Sequence, residues 1–278
     1  MSTFLVLGAT GQTGGALADL LARDGHVVRR ATSRAATAPD AVHVDLATGA
    51  GLDAALAGAD GAFLLSPPGF TNQQALLNPV VDAAVRHGVR KVVLMTAMGV
   101  DVDPAIPFRQ AELHLERSGL AWNAIRPNWF MQNFHTFWVH GIRTDGAIRL
   151  PAGDAKGSFI DARDIAAVAH VLLTTDAHAN RAVDLTGGEA LDHHEVAAIL
   201  THETGRPIRY EDVPPDALRG ALVGAGMPAD YVESILGILA AFKAGFAARV
   251  SDAVPTITGR APITFAQYAR DHRDRFFG

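Results

Sequence analysis

Cysteine is absent from this chain of 278 residues, which excludes disulfides, thiolate nucleophiles and thiolate metal sites. Lysine is scarce: Lys91, Lys156 and Lys243 are the only ones. Tyrosine is equally rare, with Tyr210, Tyr231 and Tyr268 all late in the chain. Cations are outnumbered, 24 Lys and Arg against 29 Asp and Glu, for a net charge of -5. Arginine-rich or lysine-rich clusters are absent beyond doublets such as Arg29-Arg30. A protein that grips phosphate backbones needs far more positive charge, so no nucleic-acid partner is expected. Long apolar runs are missing too. The most apolar late stretch, residues 234–250, is interrupted by Gly237, Lys243 and Gly245, which argues against a membrane span. An apolar strand pattern starts almost at once, leaving no room for a signal peptide, so a cytoplasmic protein is expected. What remains is 49% hydrophobic and 19% charged, the make-up of one large or two modest packed domains.

Glycine, by contrast, is concentrated where it matters. Gly8-Ala9-Thr10-Gly11-Gln12-Thr13-Gly14-Gly15 follows a short apolar run, residues 4–7, and opens a helical pattern over residues 16–23. Strand, glycine turn and helix in that order form the context of a dinucleotide-phosphate site. Gly8 can take a tight turn, Gly11 lets backbone approach a pyrophosphate, and Gly14 lets the helix pack close to the strand. The helix N-terminus then offers free N–H groups and a partial positive charge. The spacing is G-x-x-G-x-x-G, not G-x-G-x-x-G.

Strand and helix patterns alternate through the first half. Strand-length apolar runs occur at residues 26–30, 41–44, 61–65, 91–95 and 121–125. Helical patterns lie between them at 16–23, 52–57, 73–87 and 108–117. Such alternation predicts parallel β-α-β units with right-handed crossovers. Gly25, Gly88 and Gly119 end three of the helices. The second half is less regular: loops and short strands over 141–157, a helix over 161–174, and a helix over 195–204 that Asp192 can cap. A helical region punctuated by Pro214-Pro215 and Pro228 runs to about residue 250. The fold class expected is α/β, a Rossmann-type doubly wound parallel sheet with a small C-terminal substrate lobe. Residues 1–150 would form the nucleotide-binding domain, with a strand and helix returning over 158–186; residues 187–278 would form the lobe.

Six segments in this order resemble the NmrA-like, NAD(P)-binding group of atypical short-chain dehydrogenases/reductases. They are residues 8–14, 63–68 (Phe-Leu-Leu-Ser-Pro-Pro), 92–97, 118–122, 125–133 (Ile-Arg-Pro-Asn-Trp-Phe-Met-Gln-Asn) and 161–166. The Arg126–Met131 stretch is the most specific and is similar to bacterial reductases of the group. The resemblance implies a seven-stranded parallel sheet whose loops after the first, second, fourth and fifth strands touch the cofactor. In those loops the candidate cofactor contacts are Gly8, Thr10, Gly11, Gln12, Thr13, Arg34, Asp45, Leu46, Leu65, Ser66, Pro67 and Thr96. Short-chain dehydrogenases carry a Tyr and a Lys four residues apart on the helix after the fifth strand, and the lysine lowers the tyrosine's pKa for proton transfer. Phe108 and Glu112 occupy those places here, so the relay is missing. The group contains both enzymes that lack this pair and a dinucleotide-binding sensor.

The cofactor expected is NADP (NADPH). An NAD site places an acid after the second strand, yet residues 25–39 contain none and offer Arg29, Arg30 and Arg34. Arg34 falls where the group's 2′-phosphate arginine sits, and can form forked, charge-assisted bonds; a solvated edge is the plain alternative for all three. Asp45 would approach the adenine side or cap a helix. Thr96, at the position of the group's catalytic serine, and His135 are the candidate catalytic residues; Thr96 could equally satisfy local backbone. Met98, Phe108, Trp129, Gln132, Asn133 and Phe134 are the candidate substrate contacts. Trp129 and Phe134 would wall the pocket, while Phe137 would be core, the whole cluster having helical spacing. His193-His194-Glu195 invites a metal reading, but helix neighbours diverge by roughly 100°; no metal is expected. Together these features predict an NADPH-dependent reductase of a small apolar, aromatic molecule (a quinone, ketone, imine or azo compound), working as a monomer or homodimer. The alternative is a non-catalytic NADP sensor.

Overall fold

A computed structural model describes residues 1–277. Its first unit comprises Met1–Pro127, Ala162–Leu185 and Thr256–Gly259; its second comprises Asn128–Asp161, Thr186–Pro255 and Arg260–Gly278, the last residue aside. The chain thus leaves the first unit at Pro127, earlier than the boundary expected at residue 150.

Nine strands are β1 (Thr3–Val6), β2 (Val27–Thr32), β3 (Ala41–His43), β4 (Gly61–Leu64), β5 (Lys91–Met95), β6 (Ala121–Pro127), β7 (Ala147–Leu150), β8 (Arg181–Leu185) and β9 (Arg209–Asp212). The first unit holds seven of them in one parallel sheet ordered β3-β2-β1-β4-β5-β6-β8. Gly61–Leu64 is buried at every residue, and so are the first four residues of β5. Strands covered on both faces lose the in-out alternation and read as apolar runs. Leu5, Ala62, Leu64, Val92 and Leu94 share one core with Leu52, Leu77, Val80, Val81, Ala111 and Leu115. The latter come from helices α2 (Leu52–Leu56), α3 (Gln73–Arg86) and α4 (Pro107–Glu116), which therefore cover one face. The other face is covered by α1 (Gln12–Arg23) and α6 (Ala162–Thr174), which pack on each other. Strand order reverses between β1 and β4, and at such a switch point the carboxyl ends of the strands open a crevice for a nucleotide.

The second unit holds β7 and β9 as a two-stranded parallel pair. Its helices are α5 (Val139–Asp145), α7 (His193–Thr204), α8 (Pro215–Gly224), α9 (Ala229–Lys243), and α11 (Phe265–Asp271). A further helix, α10 (Ala253–Thr258), lies on the segment that rejoins the first unit. Asp192 caps α7 with a full capping box: its side chain accepts from Glu195 N at 2.8 Å while Glu195 accepts from Asp192 N at 2.9 Å. The core is aromatic: Phe134, Phe159, Phe242, Phe265, Tyr268 and Phe276. Two local expectations fail. The aromatic stripe of residues 129–138 is not a helix; Met131–His135 is a 3-10 turn, and that tighter winding buries Phe134 (1% exposed) and turns Phe137 out (49% exposed). Nor is 141–157 free of helix, since α5 occupies its start. Among the described residues no helix is long and apolar enough to cross a membrane.

Candidate functional site

At the carboxyl end of β1 the chain turns through Gly8, which sits in the left-handed region at φ +64°. Gly11 N donates to Gly8 O at 2.8 Å, closing the loop. A Cβ on Gly14 would lie 2.4 Å from Gly8 O and 2.8 Å from Leu7 O, so only glycine lets α1 start this close to its strand. A Cβ on Gly8 would meet Leu65, the residue after β4, at 2.8 Å. The N-cap of α1 is Gly11, which has no side chain to satisfy the first N–H groups. They remain open to an external acceptor. The Thr13 hydroxyl behind them is buried and has no hydrogen-bond partner. A cradle of glycines, an uncapped helix start and an orphaned buried hydroxyl fit a pyrophosphate; Thr10 and Gln12, both exposed, border it.

The three arginines after Gly25 now separate. Arg29 donates to the carbonyls of Ala55 and Ala57 at 2.7 Å each, where α2 ends. Arg30 is held between Asp19 and Asp40 at 2.7 and 2.8 Å. Arg34, exposed just past β2, forms no side-chain hydrogen bond or ion pair among the described residues; only its backbone is held, N–H to Thr32 Oγ1 at 3.1 Å. Asp45 is spent on its own turn. It accepts from Ala47 N at 2.9 Å and Thr48 Oγ1 at 2.8 Å, bonds that hold its carboxyl below the usual range. These bonds tie a local turn after β3 and do not cap a helix, since α2 starts at Leu52 behind Gly51 with no side-chain cap. Leu46 is half-buried against the sheet core, and Ser66 and Pro67 are half-buried after β4.

At the ends of β5 and β6 lies a group that only half showed in the sequence. Glu112, on α4, is fully buried. Its Oε1 accepts from Thr96 Oγ1 at 2.7 Å and Arg126 Nε at 2.9 Å; its Oε2 accepts from Arg126 Nη2 at 2.7 Å and Arg109 Nη1 at 2.8 Å. Arg126 in turn reaches Asp101 at 2.7 Å. Burial opposes ionisation of Glu112, but the bonds from Arg126 and Thr96 outweigh it and hold its carboxyl below the usual range. Thr96 is therefore not a proton donor: its single proton is given to a carboxylate that has none to return. The clue was available in the unexplained pairing of an acid in the lysine's place with Arg126, but its partners converge only in three dimensions. Phe108 packs partly buried against the sheet core, and Met98 N–H bonds Pro127 O at 3.0 Å.

The remaining candidates belong to the second unit. Trp129 is half-buried, edge-on to Phe242 at 5.5 Å between ring centres. Asn133 is half-buried, and its side-chain amide forms no hydrogen bond among the described residues. Gln132 is buried and donates to Asp161 at 3.0 Å. Phe134 packs against Phe159 and Phe265 in the lobe core, which removes it as a pocket wall. His135 is engaged inside the lobe: its Nδ1 lies 2.8 Å from Tyr268 Oη and its ring 4.7 Å from His272. Burial, then the charges of His272 and Arg275, push it down to about 4, so it is neutral near neutral pH and poorly suited as an acid. His193 points into the aromatic core, stacked on Tyr210 at 5.1 Å, and burial pushes it to about 4. His194 instead meets Tyr210 edge-on and nears Asp154 at 3.6 Å, so the neighbouring histidines diverge.

His135 and His193 give a pH prediction. Both bind protons in the unfolded chain near 6.5 but in the folded one only near 4. Their stabilising effect is complete above about 6.5 and is lost as pH falls towards 4. Urea midpoints should drop through that window with a slope approaching two protons, and His193→Phe should remove about one of them. A midpoint independent of pH between 6.5 and 4 would contradict the burial of both rings.

The cofactor-type cradle and the strand order are matched by sequence comparison. Residues 1–254 match the NmrA-like family. The chain is 34% identical to the NAD(P)H azoreductase of Xenophilus azovorans, over 98% of each chain. It is 35% identical, again over 98% of each, to the (4-alkanoyl-5-oxo-2,5-dihydrofuran-3-yl)methyl phosphate reductase of Streptomyces griseus. The NADPH complex of an NADPH-dependent quinone oxidoreductase from Escherichia coli has the same fold, with a TM-score of 0.80 at 20% identity, over 96% of this chain and 99% of that one. A glycine cradle at a switch-point strand, a buried carboxylate in the lysine's place and a full-length match agree: the chain belongs to the NmrA-like family.

Proposed function

We propose that this protein is an NADPH-dependent reductase that passes hydride to a small, apolar, aromatic substrate. The observation that carries this reading is the Gly8–Gly14 cradle with Arg34 uncommitted beside it, in a chain that aligns end to end with reductases. Gly8, Gly11 and Gly14 let backbone approach the pyrophosphate, the N–H groups of Gln12 and Thr13 face it, and the Thr13 hydroxyl gains a partner. Arg34 takes the 2′-phosphate. Leu65, Ser66 and Pro67 line the path along the strand ends. NADPH supplies the hydride; the protein supplies position and a dry surface. Within the second unit, Trp129 offers a flat apolar ring and Asn133 a spare amide, the two kinds of contact a flat substrate with a polar atom needs. With Thr96 and His135 both engaged, the proton of the product comes from water or from the substrate itself, which suits quinones, imines and azo compounds.

The test is NADPH oxidation against a panel of quinones, ketones, imines and azo dyes. Turnover is expected with at least one. Tight NADPH binding without turnover of any would overturn the enzyme reading in favour of a sensor. Trp129→Ala should lower kcat/KM by about tenfold or more, through KM and kcat together, because an aromatic wall both binds and aligns a flat substrate. NADPH affinity should change little. Unaltered kinetics would remove Trp129 from the site.

A further inference from the structure

The buried cluster at the ends of β5 and β6 sets the polarity of one hydroxyl. Thr96 has one proton and two lone pairs to offer. Its proton goes to Glu112 Oε1 at 2.7 Å. Glu112 holds four donors, two on each oxygen, which fills the acceptor sites of a carboxylate. It can neither release Thr96 nor hand it a proton. Every further partner of the Thr96 oxygen must therefore be a donor. A hydroxyl already donating to a carboxylate is also a better acceptor, because the chain of bonds polarises it.

Thr96 directly follows β5, two strands from β1 in the order β1-β4-β5. At about 4.8 Å between strands, that is about 10 Å from the glycine cradle. A dinucleotide whose pyrophosphate sits on Gly8–Thr13 runs over the carboxyl ends of β4 and β5 with its nicotinamide half. The donors it carries there are the carboxamide N–H and the ribose hydroxyls.

We propose that Thr96, held by Glu112, is an obligatory hydrogen-bond acceptor for an N–H or O–H of the nicotinamide riboside. Thr96 is then a cofactor contact and Glu112 a positioning residue acting through it. This rests on the NADPH-binding reading above. Arg126 and Arg109 do not touch the cofactor; they keep Glu112 ionised and still.

Cofactor binding without substrate tests this. Wild-type protein is titrated with NADPH, with its acetylpyridine analogue, which lacks the carboxamide N–H, and with an analogue deoxygenated on the nicotinamide ribose. One of the two analogues should bind about tenfold more weakly than NADPH, the loss of a single hydrogen bond, and which one it is names the donor. Thr96→Ser should keep that preference. Thr96→Val should bind NADPH about tenfold more weakly and no longer distinguish the analogue. Glu112→Gln should also lose the distinction, since its amide can donate to Thr96 and turn the threonine proton outward. A purely structural role would shift urea midpoints in these variants and leave analogue discrimination intact; that result, or equal binding of all three cofactors by the wild type, overturns the proposal. A wild type that binds no NADPH at all refutes the cofactor assignment instead.

Discussion

Glu112→Ala is expected to lower stability by about 3 kcal/mol, the lower end of what removing one partner of a buried ion pair costs. For a chain of this size that is a fall in Tm of about 6–12 °C. The loss comes less from the missing attraction than from what is left behind. Arg126 is only 8% exposed and would keep Asp101 at 2.7 Å and Asp184 at 4.0 Å, but would lose both of its bonds to Glu112. Those remaining acids are why the lower end of the range applies. The double variant Glu112→Met with Arg126→Leu should recover most of the loss, since an apolar pair of similar volume avoids the desolvation cost that two charges carry. Thermal melts of the three proteins decide it. If Glu112→Ala melts with the wild type, the network does not hold the fold together, and the orientation of Thr96 would need another cause.

Arg34→Asp is expected to reverse the choice of dinucleotide. Charge-assisted bonds are worth about 1.5–3 kcal/mol each, so one lost bond weakens NADPH about tenfold and two about a hundredfold. NADH, which has no 2′-phosphate, should gain or hold. The change should be weaker at high salt, because Arg34 is exposed and its field is screened. Neither Arg29→Asp nor Arg30→Asp should have this effect on selectivity, because both side chains are committed within the sheet unit. The ratio of Kd values for NADPH and NADH is the measurement. An unchanged ratio in Arg34→Asp would show that the 2′-phosphate is read elsewhere.

Six of the seven parallel strands were legible because a sheet covered on both faces writes short apolar runs between helical periods, as β4 and β5 do. The seventh, β8, is a half-exposed edge strand and was expected only as a strand returning over residues 158–186. The glycine cradle was legible because its backbone demands are local. The lobe was harder. Residues 129–138 have helical spacing, but a 3-10 turn exchanged the roles of Phe134 and Phe137. His135 looked like an available acid until Tyr268, far along the chain, came to its ring. Arg34 could be singled out by its place after the second strand, but the fate of Arg29 and Arg30 could not be read, because the end of α2 and the carboxylates of Asp19 and Asp40 reach them only in the fold. Local periodicity reports a residue's face; it cannot report which distant partner fills its hydrogen bonds.

The pairing of α1 with α6 has a consequence for biogenesis. The helix that begins the cofactor cradle packs on one supplied by Ala162–Thr174, and the edge strand β8 arrives later still, at Arg181–Leu185. A ribosome emits residues in order, so α1 waits with its apolar face uncovered while the intervening chain is made. Contacts of such long sequence separation form late and slowly, and the half-finished sheet exposes both that face and the free edge of β6 to aggregation. C-terminal truncations that remove α6 should therefore lose the cradle even though every glycine of it is present, and in a cell the nascent chain should depend on chaperones until α6 has emerged.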